Sequence, residues 1–266
     1  MDVSKIKMVV TDMDGTLLNS NHQVSSRFFE LFARLKSKNI LFVAASGRQY
    51  SSIIDKLSPI KNDIIVVAEN GGFVMHEEQE LLSTPLPGHY VTETLKILKD
   101  KADIHPVLCG KHTAYLTRKS DAFIEKLKEY YSKFNLVDEL ETVNAEIIKV
   151  AMFHFESSEQ FIYPHVKQLE NNLQVKISGS NWVDISSANA NKGFALRQLM
   201  NTYNLKPDEL MVFGDYNNDL EMLALSDFSF AMENAHPNVK DNAKYHTLSN
   251  DNYGVEIVLE KLLLQL

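Results

Sequence analysis

The sequence predicts an α/β protein in which a core domain with a parallel sheet is interrupted by a smaller α+β domain. Apolar runs rich in β-branched residues alternate with amphipathic helical segments near both ends of the chain, which is the pattern of βαβ units. In the middle of the chain this alternation stops, and short predicted strands follow one another in adjacent pairs. Several apolar runs end in carboxylate, hydroxyl or glycine residues, which makes these strand ends the candidates for chemistry.

The composition is that of an ordinary globular protein and narrows the choice of partners. The 266 residues are 44% hydrophobic and 23% charged, which is enough for a core domain with a second domain inserted into it. The formal net charge of −8 and the lack of a Lys and Arg cluster argue against a nucleic-acid partner, but they leave a small anionic substrate open. Cys109 is the only cysteine, so intrachain disulfides and thiolate zinc sites are excluded.

Nothing in the sequence indicates an exported protein or a membrane protein. Residues 1–7 lack the apolar stretch of a signal peptide, and no run approaches the roughly 18 apolar residues of a membrane span. We therefore expect a cytoplasmic protein without a membrane partner, as a monomer or a weak homodimer.

The first apolar run, residues 7–11, predicts a strand buried on both faces. Asp12 and Asp14 follow it directly, with Gly15 next in the chain. Two carboxylates at the end of a buried strand repel each other and lose hydration, so they need a cation or a proton between them. A hard divalent metal such as Mg²⁺ suits these ligands and leaves one carboxylate for chemistry. The alternative at this point is a strand end followed by an Asp-Gly turn.

A helix and a second strand follow. The helical spacing of apolar residues over 28–35, with Ser25 as the N-cap, predicts an amphipathic helix. The next apolar run, 40–45, predicts a buried strand that ends in Ser46-Gly47-Arg48. Such a tripeptide is by itself usually only a turn, and Arg48 suits bracing the loop as well as reaching a substrate.

The third predicted strand, residues 64–68, is followed by Asn70 and Gly71. These two residues would lie at the same sheet edge as the other strand ends, where they could line the floor of a site. Asn-Gly is, however, first of all a turn signal.

The inserted domain begins at a Pro/Gly-rich stretch, residues 84–88. We assign residues 85–186 to an α+β domain and residues 1–84 and 187–266 to the core. The paired strands of the insertion predict an antiparallel sheet with helices on one face. Its predicted elements are helices ending near 101 and covering 121–133 and 158–171, and strands at 106–108, 113–117, 147–155 and near Val175 and Trp182.

The alternation of strands and helices resumes after the inserted domain. A helix predicted over 193–203 leads to a strand at 210–213, which ends in Gly214-Asp215-Tyr216-Asn217-Asn218-Asp219. This run resembles the start of a calcium-binding loop, but Leu220 stands where that loop needs glycine and Ser226 where it needs glutamate. A short helix, a strand at 228–231 and a closing helix at 255–264 complete the pattern.

Three of these strand ends should meet, because the carboxyl ends of parallel strands lie along one edge of the sheet. Asp215 would then join Asp12 and Asp14 in a set of carboxylates suited to Mg²⁺. Ser46 adds a hydroxyl, Gly47 an unobstructed backbone amide, and Lys192 an ammonium group for the same anion. Carboxylates, a metal and several oxyanion donors together indicate phosphoryl transfer, which depends on positioning and charge neutralisation.

Four motifs in this order and spacing resemble those of the haloacid-dehalogenase-like (HAD) hydrolases. They are Asp12-Met13-Asp14-Gly15-Thr16, Ser46-Gly47-Arg48, Lys192-Gly193 and the run from Gly214 to Asp219. Within that superfamily the chain is similar to the Cof-type sugar-phosphate phosphatases, whose αβ cap is inserted between the second and third motifs. The resemblance implies a Rossmann-like, parallel-sheet HAD core with an inserted α+β cap domain.

The resemblance also implies a role for each motif residue. Asp12 would be the nucleophile that forms an aspartyl-phosphate, and Asp14 would be the general acid and base. Asp12, Asp215 and Asp14, the last through its backbone carbonyl, would hold Mg²⁺. The phosphoryl oxygens would be bound by Ser46, Gly47, Lys192 and Asn218. Further residues that could contact or support the site are Arg48, Asn70, Gly71 and Asp219, the last by orienting Lys192.

The sequence therefore predicts a Mg²⁺-dependent phosphatase that hydrolyses small phosphorylated metabolites, sugar phosphates first among them. Two alternatives stay open. A phosphomutase of the same fold would return the phosphoryl group to a sugar and would need a bisphosphate activator. The second alternative is a non-catalytic module that binds metal and phosphate, although binding alone would not need the acid/base residue Asp14.

Overall fold

A computed structural model describes residues 3–118 and 120–266 of the chain. Met1 and Asp2 of the expected core and Lys119 of the expected cap lie outside the described residues. The chain forms two compact units. The first comprises Met1–Gly47, Ile53–Leu82 and Asn191–Leu266, and the second comprises Arg48–Ser52 and Ser83–Ala190.

Strands and helices alternate in the first unit, and paired strands dominate the second. The strands are β1 (Met8–Asp12), β2 (Leu41–Ala45), β3 (Ile65–Ala68), β4 (Phe73–His76), β5 (Gln79–Ser83), β6 (His105–Gly110), β7 (Ala114–Thr117), β8 (Phe134–Val137), β9 (Ile147–Phe153), β10 (Leu173–Gly179), β11 (Trp182–Ser187), β12 (Leu210–Gly214), β13 (Phe228–Ala231) and β14 (Tyr245–His246). The α-helices are α1 (Ser26–Ser37), α2 (Tyr50–Lys56), α3 (Gly88–Leu98), α4 (Asp121–Leu127), α5 (Ser158–Phe161), α6 (Tyr163–Val166), α7 (Lys192–Tyr203), α8 (Leu220–Leu223), α9 (Pro237–Asn242) and α10 (Gly254–Leu263). Over the described part of the chain, no helix has both the length and the apolar character needed to cross a membrane.

The sheet of the first unit confirms the predicted parallel α/β core. Its strand order is β14-β13-β12-β1-β2-β3-β4-β5. The neighbours from β14 to β3 are parallel, and β4 is antiparallel to β3. β1 pairs with β2 on one side and with β12 on the other, and all five of its residues are buried. The carboxyl ends of β1, β2 and β12 are therefore neighbours.

The local signals of the first unit are confirmed to within a residue or two. The Ser25 side chain accepts a hydrogen bond from the Phe28 N–H, as an N-cap residue does, and α1 begins at the next residue. The buried face of this helix carries the predicted apolar residues Phe28, Leu31, Phe32 and Leu35. Strands β4 and β5 were not predicted. β4 has only four residues, and β5 is partly exposed and has no clear alternation of polar and apolar residues.

The second unit contains a six-stranded sheet with the order β10-β11-β9-β6-β7-β8. Its neighbours are antiparallel except for β7 and β8, which are parallel. The prediction that its helices lie on one face is wrong. Residues of α3 and α6 pack with Val150 and Met152 of β9, whereas α4 packs with the alternate residues Ala151 and Phe153, which point to the opposite face.

The predicted helix over 158–171 is divided into α5, α6 and a final 3-10 turn at Lys167–Asn171. Pro164 explains the interruption, because proline has no N–H to donate and its ring clashes with the carbonyl one turn earlier. The division falls where proline is tolerated, in the first turn of α6.

A left-handed turn after β3 approaches the start of α7 closely. Glu69, Asn70 and Gly71 have φ values of 51°, 55° and 97°. A Cβ atom on Gly71 would lie 2.3 Å from the carbonyl oxygen of Asn191 and 3.0 Å from the backbone nitrogen of Lys192. Gly71 is therefore needed both for the backbone conformation and for the close contact with α7.

Replacing Gly71 with alanine is expected to destabilise the protein by about 2 kcal/mol or more, since the side chain meets both a left-handed φ and backbone atoms. Gly179→Ala is the matched control, because no atom lies within 4 Å of a Cβ there. Its effect should stay within about 0.5 kcal/mol. Denaturant unfolding of both variants measures the difference. Equal stability of the two variants would contradict the close approach at Gly71.

Candidate active site

Strand ends and one helix start carry the candidate residues. Asp12 is the last residue of β1, Asp215 follows β12, and Lys192 is the first residue of α7. Ser46 follows β2, where its N–H donates to the Val67 carbonyl at 2.8 Å. The parallel register of the sheet thus brings together residues that are up to about two hundred positions apart in the sequence.

Lys192 lies between two carboxylates. Its fully buried ammonium donates hydrogen bonds to Asp12 Oδ1 and, at 2.7 Å, to Asp219 Oδ1. Burial lowers the pKa of Lys192, but the charges and hydrogen bonds of the two carboxylates raise it by more, so its pKa lies above the usual lysine value. The two carboxylates therefore favour the charged form of Lys192 at the end of β1.

Asp219 fixes both Lys192 and the loop after β12. Its Oδ2 accepts hydrogen bonds from the N–H groups of Asp215, at 2.9 Å, and Tyr216, at 3.1 Å. The side chain also fills the space where a Cβ on Gly214 would lie, 2.6 Å from the Cβ of Asp219. Asp219 thus joins the motif that begins at Gly214 to the lysine at the start of α7.

Three carboxylates form a group that could bind a metal ion. Asp12, Asp215 and Asp219 each offer an oxygen, and these oxygens lie within 4.8 Å of one another. Thr16 Oγ1 donates to Asp215 Oδ1 at 2.9 Å. A Cβ on Gly15, whose φ is +78°, would lie 2.3 Å from Asp215 Oδ2. The turn after Asp14 therefore packs directly against the Asp215 carboxylate.

The three carboxylates of this group carry more negative charge than the Lys192 ammonium can offset. Burial raises the pKa of Asp12, and the nearby Asp219 and Asp215 raise it further against the lowering effect of Lys192. Burial, followed by the charge of Asp219, raises the pKa of Asp215 to about 6. Three acidic groups share one ammonium, so an additional cation would stabilise their ionised forms. Oxygen ligands of this kind fit a hard divalent metal.

The Asp14 carboxylate lies outside the group of three. Its side chain is 42% exposed, and Oδ1 lies 3.4 Å from Nδ1 of His22. This exposure suits a group that exchanges protons with a substrate or with water. The part expected of Asp14 in metal binding, through its backbone carbonyl, stays a prediction, as does its acid/base role.

The residues expected at the phosphoryl group are partly brought together. Asn218 Nδ2 donates to Asn70 Oδ1 at 3.0 Å, and the Asn70 N–H donates to the Ser46 carbonyl at 2.9 Å. The Asn70 carboxamide also lies 3.0 Å from where a Cβ on Gly47 would be. Asn70 therefore connects Ser46, Gly47 and Asn218, whereas Arg48 belongs to the second unit and its role stays a prediction.

Two residues at the site were missed when candidate residues were chosen from the sequence. Thr16 lies in the first motif but was given no role, and it bonds Asp215. Asn234 donates from Nδ2 to the Gly15 carbonyl at 2.8 Å. A signal for Asn234 was present, since it follows β13, another parallel strand that ends at the same edge.

The fold and this site define a haloacid dehalogenase-like hydrolase. The sequence model of that family matches residues 9–259, so the chain belongs to it. Its relatives confirm the resemblance to Cof-type phosphatases, and the protein is a phosphatase of the HAD type.

Three relatives illustrate the similarity. The 5-amino-6-(5-phospho-D-ribitylamino)uracil phosphatase YbjI of Escherichia coli (strain K12) is 33% identical over 264 residues, which cover 97% of this chain and 96% of that protein. The crystal structure of SMU.1108c from Streptococcus mutans UA159 has a TM-score of 0.88 at 29% identity and covers 97% of this chain and 99% of its own. The structure of the HAD subclass IIB sugar phosphatase BT4131 is similar in fold, with a TM-score of 0.83 at 21% identity and coverage of 96% and 98%.

Replacing Asp215 with asparagine is expected to stabilise the metal-free protein, and more so at higher pH. The pKa of Asp215 is about 6 in the folded protein against 3.8 for an ordinary aspartate, so the folded state holds its proton longer. Stability is therefore lost as the pH rises from about 4 to 6, by up to about 3 kcal/mol, and Asp215→Asn removes this loss.

Thermal unfolding in EDTA at pH 4, 5, 6 and 7 measures the effect. The midpoint of Asp215→Asn should exceed that of the wild type by a margin that grows up to about pH 6 and then levels off. Asp227→Asn, a half-exposed carboxylate paired with Lys244, is the control and should show no such growth. A margin that does not change with pH would contradict the charge crowding at Asp215.

Proposed function

We propose that this phosphatase depends on Mg²⁺ and hydrolyses phosphomonoesters of small metabolites, sugar phosphates among them, through an aspartyl-phosphate on Asp12. The observation that carries the proposal is the buried Asp12, held by Lys192 and adjacent to Asp215. A carboxylate fixed in this way at a strand end is oriented for attack, and the surrounding charges suit a phosphoryl group. A core of residues 1–84 and 187–266 and a cap of residues 85–186 are part of the same proposal.

The proposed reaction uses these groups in two steps. An oxygen of Asp12 attacks phosphorus, and the leaving alcohol takes a proton from Asp14. Asp14 then accepts a proton from the water that attacks the aspartyl-phosphate, which releases inorganic phosphate and restores Asp12. Ser46, Gly47, Lys192 and Asn218 bind the phosphoryl oxygens through both steps.

The metal would be held by Asp12, Asp215 and the backbone carbonyl of Asp14. When bound, Mg²⁺ supplies positive charge that lowers the repulsion between the phosphoryl oxygens and the carboxylates. Asp219 is occupied by Lys192 and by two backbone N–H groups, so its part is to orient Lys192 and the loop.

The substrate class is argued from chemistry and from one relative. The Escherichia coli relative is named for a phosphate ester of a ribitylamino group on a pyrimidine, which is a phosphomonoester of a polyhydroxylated chain. Sugar phosphates share that chemistry, so both belong to the proposed class.

Phosphate release from a panel of sugar phosphates, the relative's substrate and simple phosphomonoesters, with Mg²⁺ or with EDTA, tests the proposal. Turnover should require Mg²⁺, and Asp12→Asn should lower kcat at least about a thousand-fold, because the amide is not a nucleophile. Asp227→Asn is the matched control and should keep full activity.

Other outcomes would favour the alternatives. A sugar phosphate that is isomerised without phosphate release, and only with a bisphosphate activator, would identify a phosphomutase. Binding of phosphate and Mg²⁺ without turnover of any ester would identify a binding module. Metal-independent turnover that survives Asp12→Asn would contradict the mechanism itself.

A further inference from the structure

The loop that carries Asp14 is held by side chains from the last quarter of the chain. Asn234 Nδ2 donates to the carbonyl oxygen of Gly15 at 2.8 Å. Asn250 Nδ2 donates to the carbonyl oxygen of Leu18, also at 2.8 Å. Two backbone carbonyls that follow Asp14 in this short loop are thus fixed by side chains more than two hundred positions away.

Asn234 and Asn250 are also hydrogen-bonded to each other, and the neighbouring Asp251 bonds the same loop. The N–H of Asn250 donates to Asn234 Oδ1 at 3.2 Å. The N–H of Ser20 donates to Asp251 Oδ1 at 2.8 Å, and the Ser20 hydroxyl donates to the other oxygen of Asp251. We call Asn234, Asn250 and Asp251 the anchor residues; together they bond the loop at three points.

The segment that carries Asn234 is itself bonded to the loop that carries Asp215. The N–H of Met232 donates to the Gly214 carbonyl at 3.2 Å, and the N–H of His236 donates to the Asp215 carbonyl at 2.8 Å. The anchor residues therefore fix the Asp14 loop relative to Gly214 and Asp215, at the C-terminal end of β12.

Asp12 and Asp14 differ in what holds them. Asp12 ends β1 and is positioned by strand pairing with β2 and by Lys192. Asp14 lies two residues beyond the strand, with a half-exposed side chain. The turn after it is closed by local hydrogen bonds from the N–H groups of Thr16 and Leu18 to the Met13 carbonyl, at 3.4 and 2.8 Å, and from the Leu17 N–H to the Asp12 carbonyl at 3.3 Å, so it is not part of the sheet that positions Asp12. Loss of an anchor residue should therefore displace Asp14 more than Asp12.

We propose that the anchor residues are positioning residues for Asp14, and that they hold its carboxyl group where the leaving alcohol is protonated. The proposal rests on the proposed function, in which Asp14 is the general acid. Proton transfer requires the acid within hydrogen-bond reach of the leaving oxygen. A displacement of about 1 Å can lower the rate about a hundred-fold.

A comparison of two leaving groups separates this role from a merely structural one. A sugar alkoxide is a strong base and needs a proton from Asp14 as it leaves, whereas para-nitrophenolate is a weak base and leaves without one. The kinetic constant to compare is kcat/KM, because it reports phosphoryl transfer to Asp12 and not the later hydrolysis. Saturating Mg²⁺ keeps changes in metal affinity out of the comparison.

Asn250→Ala should lower kcat/KM at least about ten-fold for the best sugar phosphate, and no more than about three-fold for para-nitrophenyl phosphate. Asp14→Asn should show the same difference, but larger. Asn242→Ala is the matched control, because Asn242 Nδ2 also donates to a backbone carbonyl at 2.8 Å, that of Asn238, without contacting the Asp14 loop. It should leave both constants unchanged.

Thermal unfolding shows whether each variant is folded, and Asn234→Ala replaces Asn250→Ala if the latter is not. An equal loss for both esters in the anchor variant, alongside a clear difference in Asp14→Asn, would overturn the positioning role. An equal loss for both esters in Asp14→Asn would overturn the acid role of Asp14, and the positioning role with it. The two failures are distinguished by the Asp14 variant alone.

Discussion

Lys192 is fully buried and donates hydrogen bonds to both Asp12 and Asp219. An ammonium group removed from water is stable only beside opposite charge, and buried carboxylates need a cation for the same reason. This contact joins the end of β1, the start of α7 and the loop after β12. The other contacts of the site are arranged around it: Thr16 bonds Asp215, and Asn70 bonds Asn218.

The site concentrates negative charge on buried and partly buried carboxylates. Partial burial and the charge of Asp219 raise the pKa of Asp215 to about 6, and Gly15 and Gly214 allow the backbone to approach these carboxylates. Such an arrangement does not favour the folded state of the metal-free protein. Perturbed carboxylates in a group with a buried lysine are typical of sites selected for binding and chemistry rather than for stability.

The parallel sheet and the meeting of Asp12, Ser46 and Asp215 followed from local pattern, because strand ends in such a sheet share one edge. The features that were predicted wrongly or missed depend on contacts between residues that are distant in sequence. Nothing in the sequence of α4 indicates that it packs on the opposite face of its sheet from α3 and α6. The bonds from Asn234 to Gly15 and from Asn250 to Leu18 leave no periodic signal either, since one side chain meets one carbonyl more than two hundred positions away.

The position of β1 between β2 and β12 has a consequence during synthesis of the chain. β2 follows soon after β1, but β12 begins only at Leu210, after the segment Ser83–Ala190 of the second unit. A growing chain therefore carries β1 as an apolar edge strand while most of the second unit, which is nearly continuous in sequence, already has the residues it needs to fold. Asp12 has neither Lys192 nor Asp215 beside it until the segment that follows Ala190 has been synthesised. Nascent and prematurely released chains consequently have no assembled site, and they expose an edge that invites aggregation.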